Sequence, residues 1–395
     1  MNKNKNIGDF VADGIRELPY SGIRRFFDVA KSMPDVVSLG VGEPDFATPW
    51  HIREEAIFSL EKRRTMYTSN AGLEELREEI SRYMRAKYNL SYKPMSQTLV
   101  TVGASEGIDV ALRAIINPGR GEEVLVVEPC FVSYVPCVLM AGGVPVPVPT
   151  TAANNFRVTA ADIRERLTDK TKAIMLSYPN NPTGAVLERE DLEGIADLLR
   201  GRDIIIISDE IYAELTYGGK HASIASLPGM HEKTVVINGF SKAFAMTGWR
   251  LGYACGPEEI LAAMTKIHQY IIMCAPTTAQ WAGLEALRRG DDSVEKMRKE
   301  YDARRRYILR GMREMGIDCF EALGAFYVFP SIAKFGLSSE DFCNRLLHEH
   351  RLAVVPGTAF GGCGEGYVRC SYAYSLDSIK EALSRLRSFI EKIGG

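Results

Sequence analysis

The sequence predicts an α/β protein, with a large domain built on a mostly parallel, seven-stranded sheet and a smaller α+β domain. Between about residues 95 and 255, apolar runs of strand length alternate with helical patterns, as they do in parallel sheets. The length of 395 residues is enough for one large domain and one smaller domain. After about residue 295 the pattern changes to short strands and an amphipathic helix.

Apolar runs predict the seven strands of the large sheet, at 98–102, 123–127, 144–148, 172–177, 203–208, 234–238 and 251–254. Stretches with the apolar spacing of helices lie between some of them, at 106–116 and 189–200, and after the last of them, at 258–269. Because strands that are joined through helices run in the same direction, most of this sheet is expected to be parallel.

A charged helix predicted at 293–314 carries the chain away from this sheet. The elements predicted after it are short strands at 325–329, 353–355 and 367–372, and an end helix at 376–390. We expect the large domain to span 46–290. The smaller domain is expected to combine 1–45 with 291–395, since the chain crosses early into the large domain.

The composition is that of an ordinary soluble enzyme, with 46% apolar and 25% charged residues. The net charge of -2, from 48 basic and 50 acidic side chains, gives no support for binding to nucleic acid or a membrane surface. No apolar run approaches a membrane span, and the polar start at 1–6 lacks the apolar core of a signal peptide. We therefore expect a cytoplasmic protein without nucleic-acid or membrane partners.

Cysteine and histidine spacing gives no indication of a metal site. The eight cysteines include no C-x-x-C pair, so they are expected to be reduced thiols. The six histidines are dispersed, and His348 and His350 lie on different faces of a predicted helix. No bound metal is expected.

Lys242 has the most informative surroundings of any residue. It follows the apolar run 234–237 and lies among small and apolar residues. Desolvation disfavours the ammonium form, so the pKa of such a lysine falls and its neutral amine can form a Schiff base with a carbonyl. Ser241 and Arg250 flank it with a hydroxyl and a cationic fork that suit a phosphate. Pyridoxal phosphate (PLP) carries both an aldehyde and a phosphate, although a serine–lysine pair alone is more often part of a solvated loop.

Other polar or aromatic residues also follow predicted strands. Phe131, Asn181 and the pair Asp209 and Tyr212 each come shortly after an apolar run. In an open α/β sheet, ligands bind beyond the carboxyl ends of the strands. We therefore expect these side chains to gather with Lys242 at one edge of the sheet.

Each of these residues suits a role in a PLP site, and each has an ordinary structural alternative. Asp209 can keep the pyridine nitrogen protonated, or it can cap a helix. Tyr212 and Asn181 can hydrogen-bond the ring oxygen, but the N-N-P-T-G segment around Asn181 is also good turn chemistry. Phe131 can lie flat on the ring, or it can be a core aromatic.

Two further features suit anionic groups. The small residues at 103–105 join a strand to a helix, whose N-terminus offers free N–H groups to a phosphate, although a tight turn explains them equally. Arg369 lies on an apolar predicted strand, where it can pair with a substrate carboxylate or form a buried salt bridge. A dinucleotide fingerprint is absent, because Asp45 stands where G-x-G-x-x-G requires its third glycine.

Together these motifs make the chain similar to the class I aminotransferases of PLP-dependent fold type I, over essentially its whole length. The matching segments are S-L-G-V-G-E-P-D-F at 38–46, Y-T-S-N-A-G at 67–72, G-A-S-E-G at 103–107, P-N-N-P-T-G at 179–184, S-D-E-I-Y at 208–212, N-G-F-S-K-A-F-A-M-T-G-W-R at 238–250 and G-E-G-Y-V-R at 364–369. The resemblance implies a fold-type I PLP-dependent transferase.

The resemblance also implies roles for individual residues. Lys242 matches the lysine that binds PLP covalently, Asp209 the partner of the pyridinium, and Phe131 the stacking residue. The remaining matches are Tyr212 and Asn181 on the ring oxygen, Ala104, Ser105, Ser241 and Arg250 around the phosphate, and Gly42, Asn181 and Arg369 around the substrate. Tyr67 matches a residue that reaches the phosphate of the neighbouring subunit, which implies a homodimer with shared active sites.

The implied activity is amino transfer from an L-amino acid to a 2-oxo acid such as 2-oxoglutarate, in a ping-pong reaction. The branch of the family holds aromatic amino acid, aspartate and acetyl-diaminopimelate aminotransferases. Some aspartate enzymes of this branch carry lysine where Ser105 stands, and the apolar segment 270–274 favours large side chains, so we expect an aromatic or other large donor. A cationic side chain at Arg24 or Arg25 would favour a dicarboxylate instead.

Other activities are less consistent with the sequence. A PLP-dependent C–S β-lyase has the same fold and remains an alternative. A non-catalytic PLP-sensing regulator would carry an added basic DNA-binding module, and a nicotinamide dehydrogenase would carry a dinucleotide fingerprint.

Overall fold

The computed structural model describes residues 7–16, 18 and 33–393. Its strands are β1 (Val37–Ser38), β2 (Thr98–Thr101), β3 (Glu123–Glu128), β4 (Val144–Pro149), β5 (Thr171–Ser177), β6 (Ile205–Asp209), β7 (Thr234–Gly239), β8 (Gly252–Cys255), β9 (Tyr327–Val328), β10 (Leu352–Ala353), β11 (Val355–Pro356) and β12 (Val368–Ser371). Arg24 and Arg25 lie outside the described residues.

The described helices are α1 (Asp13–Arg16), α2 (Trp50–Glu61), α3 (Glu74–Tyr88), α4 (Gly103–Ile115), α5 (Tyr134–Met140), α6 (Ala160–Arg164), α7 (Arg189–Leu199), α8 (Glu258–Ile271), α9 (Thr277–Arg289), α10 (Asp291–Glu314), α11 (Ser339–His350) and α12 (Leu376–Ile393). Some have clear start signals in the sequence. Thr159 and Asp162 form a capping box at the start of α6, and Glu188 and Asp191 form one at the start of α7.

A seven-stranded sheet forms the centre of the molecule, in the order β2-β8-β7-β6-β5-β3-β4. The pairs from β7 through β6, β5 and β3 to β4 are parallel. Strand β8 runs antiparallel to both of its neighbours, β2 and β7. The predicted mostly parallel, seven-stranded sheet is confirmed, with β8 as its reversed strand.

Helices cover both faces of this sheet, which is why its strands are apolar throughout rather than alternating. In β3, Val124 and Val126 pack into one core cluster, together with Leu112 of α4. Leu125 lies in the cluster on the opposite face, with Ile195 of α7. The carboxyl ends of the parallel strands remain available for a binding site.

The last third of the chain forms smaller sheets. Strands β11, β12 and β9 make an antiparallel three-stranded sheet, and β1 pairs in parallel with β10. Helices α10, α11 and α12 pack here in a core that includes Phe326, Phe342 and Phe389. Arg304 of α10 is buried and donates from Nη1 to both carboxylate oxygens of Asp45, at 2.8 and 2.9 Å. The domain bounds 46–290, and 1–45 with 291–395, stay a prediction.

The strand predicted at 353–355 is two strands in the structure. Leu352–Ala353 pairs with β1, whereas Val355–Pro356 pairs with β12. The chain changes partner at Val354, which a run of apolar residues does not reveal. Helix α2 was not predicted because its apolar side chains are not confined to one face: Trp50, Ile57 and Leu60 are all largely exposed.

Candidate active site

The carboxyl edge of the sheet opens into a cavity of about 560 Å³. Its lining includes almost every residue that the sequence indicated, namely Gly42, Ala104, Ser105, Phe131, Asn181, Asp209, Tyr212, Ser241, Lys242, Arg250 and Arg369. Tyr67 and the segment 270–274 are the exceptions, since neither belongs to the cavity wall; Tyr67 is 78% exposed and Tyr270 is 87% exposed. Segments far apart in the sequence therefore meet at one place, as expected for the edge of a parallel sheet.

Lys242 lies in the turn that follows β7. Its Nζ donates a hydrogen bond of 2.6 Å to the carbonyl oxygen of Gly42. Burial lowers the pKa of Lys242 to about 8, and the nearby carboxylate of Glu43 opposes this shift. A larger share of the amine is therefore neutral near physiological pH than for a lysine in water.

Asp209 ends strand β6 inside the cavity. The Tyr134 hydroxyl donates to its Oδ2 at 2.6 Å, and the backbone N–H of Ile211 donates to its Oδ1 at 3.1 Å. Burial raises the pKa of Asp209 to about 6, while these two hydrogen bonds oppose the shift. A short 3₁₀ turn at Ala213–Leu215 follows, so Asp209 does not begin an α-helix.

Two asparagines in the turn after β5 have different hydrogen-bond partners. Asn180 holds the turn, since its Nδ2 donates to the carbonyls of Pro129 and Ser177, both at 3.2 Å. The side chain of Asn181 instead accepts a hydrogen bond of 2.8 Å from Nη1 of Arg369. The turn chemistry that offered an alternative explanation for Asn181 thus belongs to its neighbour.

Arg369 projects from β12 and is only 3% exposed. Its Nη1 bonds Asn181, its Nη2 bonds the carbonyl oxygen of Gly40, and its guanidinium lies 4.5 Å from the ring centre of Tyr327. Its buried Nε has no hydrogen-bond partner among the described residues. Because these partners are uncharged, the guanidinium is available to an anion, in contrast to the salt-bridge alternative.

The opposite end of the cavity is the start of α4. Gly103 adopts a φ of +76°, which favours glycine, and this turn places Ala104 and Ser105 in the lining. A Cβ at Gly103 would lie 2.6 Å from Nη2 of Arg250. Ser241 is buried and also lines the cavity. Free helix N–H groups, a guanidinium and a hydroxyl therefore meet in one place.

Aromatic side chains form the remaining walls. Phe131 is partly buried, and its ring packs edge-on to Tyr134, with centroids 5.8 Å apart. The Tyr212 hydroxyl lies 2.8 Å from that of Tyr327. Burial raises the pKa of Tyr212 well above its usual value, so its hydroxyl stays protonated and can donate a hydrogen bond.

Sequence reasoning missed several lining residues, among them Glu43, Tyr134, Ser177 and Tyr327. Three of these four carried a signal. Glu43 follows Gly42 within one motif, Tyr134 lies one helical turn after Phe131, and Ser177 ends β5. Tyr327 has none, because its place depends on how β9 packs against the large sheet.

The cavity thus presents four groups with distinct chemistry: a buried amine, a buried carboxylate, a helix N-terminus beside an arginine, and a second, buried arginine. An aldehyde, a protonated ring nitrogen and a phosphate match the first three, and PLP carries all of them. A substrate carboxylate matches the fourth. The residues fit PLP, and the fold and cavity together define a PLP-dependent transferase of fold type I.

Comparison with known proteins gives the family. The model of the family "aminotransferase class I and II" matches residues 34–386, so the chain belongs to this family. The aspartate aminotransferase of Pyrococcus abyssi (strain GE5 / Orsay) is 47% identical, over 94% of this chain and 96% of that protein. The aromatic-amino-acid aminotransferase 2 of Thermococcus litoralis is 43% identical, over 97% and 98%.

A solved structure agrees with these relatives. The aromatic aminotransferase from Pyrococcus horikoshii OT3 has a TM-score of 0.89 and 45% identity, over 93% of this chain and 99% of that one. The protein is therefore an aminotransferase, and its cofactor is PLP. The predictions of fold, family, activity and cofactor are confirmed.

Metal-binding groups and membrane-spanning helices were considered in the part of the chain that the structure describes. Within it, no three His, Cys, Asp or Glu side chains are grouped so as to hold a metal ion. None of its helices has the length and apolar character needed to cross a membrane.

Proposed function

We propose that this aminotransferase takes the amino group from L-amino acids with aromatic or other large side chains and passes it to 2-oxoglutarate. The observation that carries the donor preference is the charge distribution of the cavity. Among the described lining residues, the cations are Lys242, Arg250 and Arg369. Each of these has a task in cofactor or α-carboxylate binding, so none remains for a carboxylate at the far end of the donor.

Two residues are proposed to carry out the chemistry with the cofactor. PLP supplies an electron sink for the negative charge that develops at the substrate Cα. The proton leaves Cα for Nζ of Lys242, which can accept it because burial favours the neutral amine. Asp209 holds positive charge at the ring nitrogen, and Tyr134 orients its carboxylate.

Other residues are proposed to bind and orient the ligands. Arg369 binds the substrate α-carboxylate and is itself oriented by Asn181. The backbone of Gly42 lies beside this point, where a Cβ would come within 2.1 Å of the Tyr327 hydroxyl. Tyr212 donates to the ring oxygen of the cofactor.

The remaining roles concern the phosphate end and the ring face. Ala104 and Ser105 offer backbone N–H groups to the phosphate, and Ser241 and Arg250 complete its binding. Phe131 covers one face of the ring.

Apolar area supports a large donor side chain. Burial of an aromatic ring favours its binding by about 1.5–3 kcal/mol. A distal carboxylate without a partner would be costly to remove from water. Ser105 offers no positive charge, and Phe131 offers apolar surface.

The experiment measures kcat/KM for phenylalanine, tyrosine and aspartate at fixed 2-oxoglutarate. We expect the aromatic donors to lead by at least tenfold. A lead for aspartate would overturn the donor preference and leave aminotransfer intact. Pyruvate and phenylpyruvate, used as acceptors with the best donor, test the choice of 2-oxoglutarate.

Aspartate is the second candidate donor, because an aspartate aminotransferase is 47% identical to this chain. Acetyl-diaminopimelate is a further alternative within the same branch. A C–S β-lyase would release pyruvate and ammonia from cystathionine without any 2-oxo acid, so one incubation without acceptor separates lyase from transferase.

A homodimer with shared active sites is also proposed. Thr277 Oγ1 donates to the Met66 carbonyl at 2.9 Å, which joins the segment beside Tyr67 to the start of α9. Tyr67 and Tyr270 are 78% and 87% exposed, respectively. Large exposed aromatic side chains support a second copy of the chain as the group that covers them.

A further inference from the structure

His268 of α8 is fully buried next to the phosphate end of the active site. Its Nδ1 lies 2.7 Å from Oε1 of Glu106. The second carboxylate oxygen of Glu106 accepts the backbone N–H of Val102, the residue just before α4. A side chain on α8 thus contacts, through one carboxylate, the turn that begins α4.

The hydrogen-bond pattern determines which ring nitrogen carries the proton. A carboxylate oxygen only accepts hydrogen bonds, so Nδ1 of His268 is the donor. The other ring nitrogen, Nε2, is buried and has no partner among the described residues. Among the described residues, the ring therefore makes one hydrogen bond, and its partner is Glu106.

The contact between His268 and Glu106 lies directly next to residues that line the cavity. Ala104 and Ser105 line the cavity, whereas Glu106 and His268 do not. Glu106 places a negative charge in the first helical turn, where it would repel a phosphate if it rotated towards the cavity. Its two hydrogen bonds keep the carboxylate directed at Val102 and His268 instead.

We propose that His268 is a positioning residue for the cofactor phosphate. By donating to Glu106, it holds the turn 102–105 in its binding conformation and keeps the Glu106 carboxylate away from the anion. The proposal rests on the proposed phosphate-binding role of Ala104 and Ser105. The alternative is a core histidine that only fills space.

A near-isosteric pair of variants separates the two explanations. His268→Asn keeps an N–H donor near Nδ1, and His268→Leu has a similar volume without any donor. Leu is the larger of the two, so a loss of packed volume alone would weaken PLP binding more in His268→Asn than in His268→Leu. His231→Leu is the control, because Nε2 of His231 is also buried without a partner among the described residues, and its ring stacks on Tyr92 outside the cavity.

The readout is the affinity of each apoprotein for PLP and for pyridoxal, which lacks the phosphate. We expect His268→Leu to lose PLP affinity by about tenfold, the size expected for one hydrogen bond to a charged group. Its pyridoxal affinity stays unchanged, His268→Asn remains close to wild type, and His231→Leu changes neither affinity. Inorganic phosphate should also compete less well with PLP in His268→Leu.

Equal losses for PLP and pyridoxal, or equal behaviour of the Asn and Leu variants, would overturn the positioning role. If the Leu variant does not fold, His268→Gln takes its place, since its longer side chain carries the amide towards Nε2 rather than Nδ1. A wild-type apoprotein that binds PLP no better than pyridoxal would disprove the phosphate site itself, rather than the role of His268.

Discussion

Lys242 and Asp209 illustrate how burial adjusts chemistry at the level of single residues. Burial lowers the pKa of the amine to about 8 and raises that of the carboxyl to about 6. Both side chains move towards their neutral forms. A protonated ring nitrogen bound at the proposed position would reverse this for Asp209, because the two opposite charges would stabilise each other.

Replacement of Lys242 by alanine should abolish turnover and leave the fold intact. No other described amine lines the cavity, so none can replace Nζ. Borohydride reduction of the wild-type holoenzyme followed by mass mapping should place the cofactor on Lys242. The exposed Lys170→Ala variant serves as the control and should keep full activity. Recovery of the label on a different lysine would refute the assignment.

Asp209 should make the stability of the apoprotein depend on pH. Its pKa is 3.8 ordinarily and about 6 in the fold, so the folded state binds the proton more tightly. The resulting stabilisation is fully present below pH 3.8 and is lost as the pH rises through about 6. The side chain of Asp209→Asn cannot titrate, so the variant does not lose this stabilisation. Relative to the wild type, its free energy of unfolding should therefore increase as the pH rises from 4.5 to 7.

Urea unfolding of the two apoproteins at these pH values provides the measurement. The exposed Asp203→Asn variant is the control and should follow the wild type. Parallel pH profiles for Asp209→Asn and the wild type would contradict the prediction.

Most of the site could be predicted from the sequence, because its residues stand out from their surroundings. Lys242 and Asp209 are charged groups directly after buried strands, and Arg369 interrupts an apolar strand. Tyr327 could not be found in this way. An aromatic residue in an apolar region is ordinary, and only the three-dimensional packing shows that it faces a cavity.

Among the elements, α4 forms the part of the cavity that is proposed to bind the phosphate. The sequence placed its start at residue 106, but the helix begins at Gly103. The difference arises because a glycine with a φ of +76° allows the chain to enter the helix directly after a short turn. Apolar spacing, which becomes regular only later, does not show this.

Gly103→Ala tests the importance of this turn. An alanine in the left-handed region costs about 1–2 kcal/mol, and here its Cβ would also displace Arg250. Gly119→Ala is a matched control, with a φ of +81° and no neighbouring atom within 4 Å. Both variants should lose similar thermal stability, whereas only Gly103→Ala should bind PLP more weakly. Equal PLP affinities would show that Arg250 adjusts without loss.

The direction of a strand is harder to predict than its existence. All seven strands of the large sheet were predicted within two residues, because each is a compact apolar run. The antiparallel direction of β8 was not predicted, because the apolar composition of a strand is the same in either direction. The connection from β7, at 240–251, forms turns rather than a helix, which is consistent with an antiparallel neighbour.

At the scale of the whole molecule, Tyr67 tests the proposed dimer. If it acts across the interface, a heterodimer of a Lys242→Ala chain with a Tyr67→Phe chain contains one wild-type site. That site combines Lys242 of the second chain with Tyr67 of the first. Mixing the two impaired proteins should therefore restore activity, up to about half that of the wild type.

The measurement is the activity of purified heterodimers carrying two different affinity tags. Each homodimer, mixed only with itself, is the control and should not recover. If verified heterodimers stay inactive while Tyr67→Phe alone is impaired, Tyr67 serves its own subunit's site.

The distribution of the site along the chain has a consequence for synthesis. Ala104, Asp209, Lys242 and Arg250 all precede residue 251, whereas Arg369 follows more than a hundred residues later. A ribosome working at about 5–20 residues per second completes the residues proposed to bind the cofactor several seconds before Arg369, the proposed substrate anchor. For that time, a nascent chain contains the proposed cofactor residues without the arginine proposed to bind the amino acid.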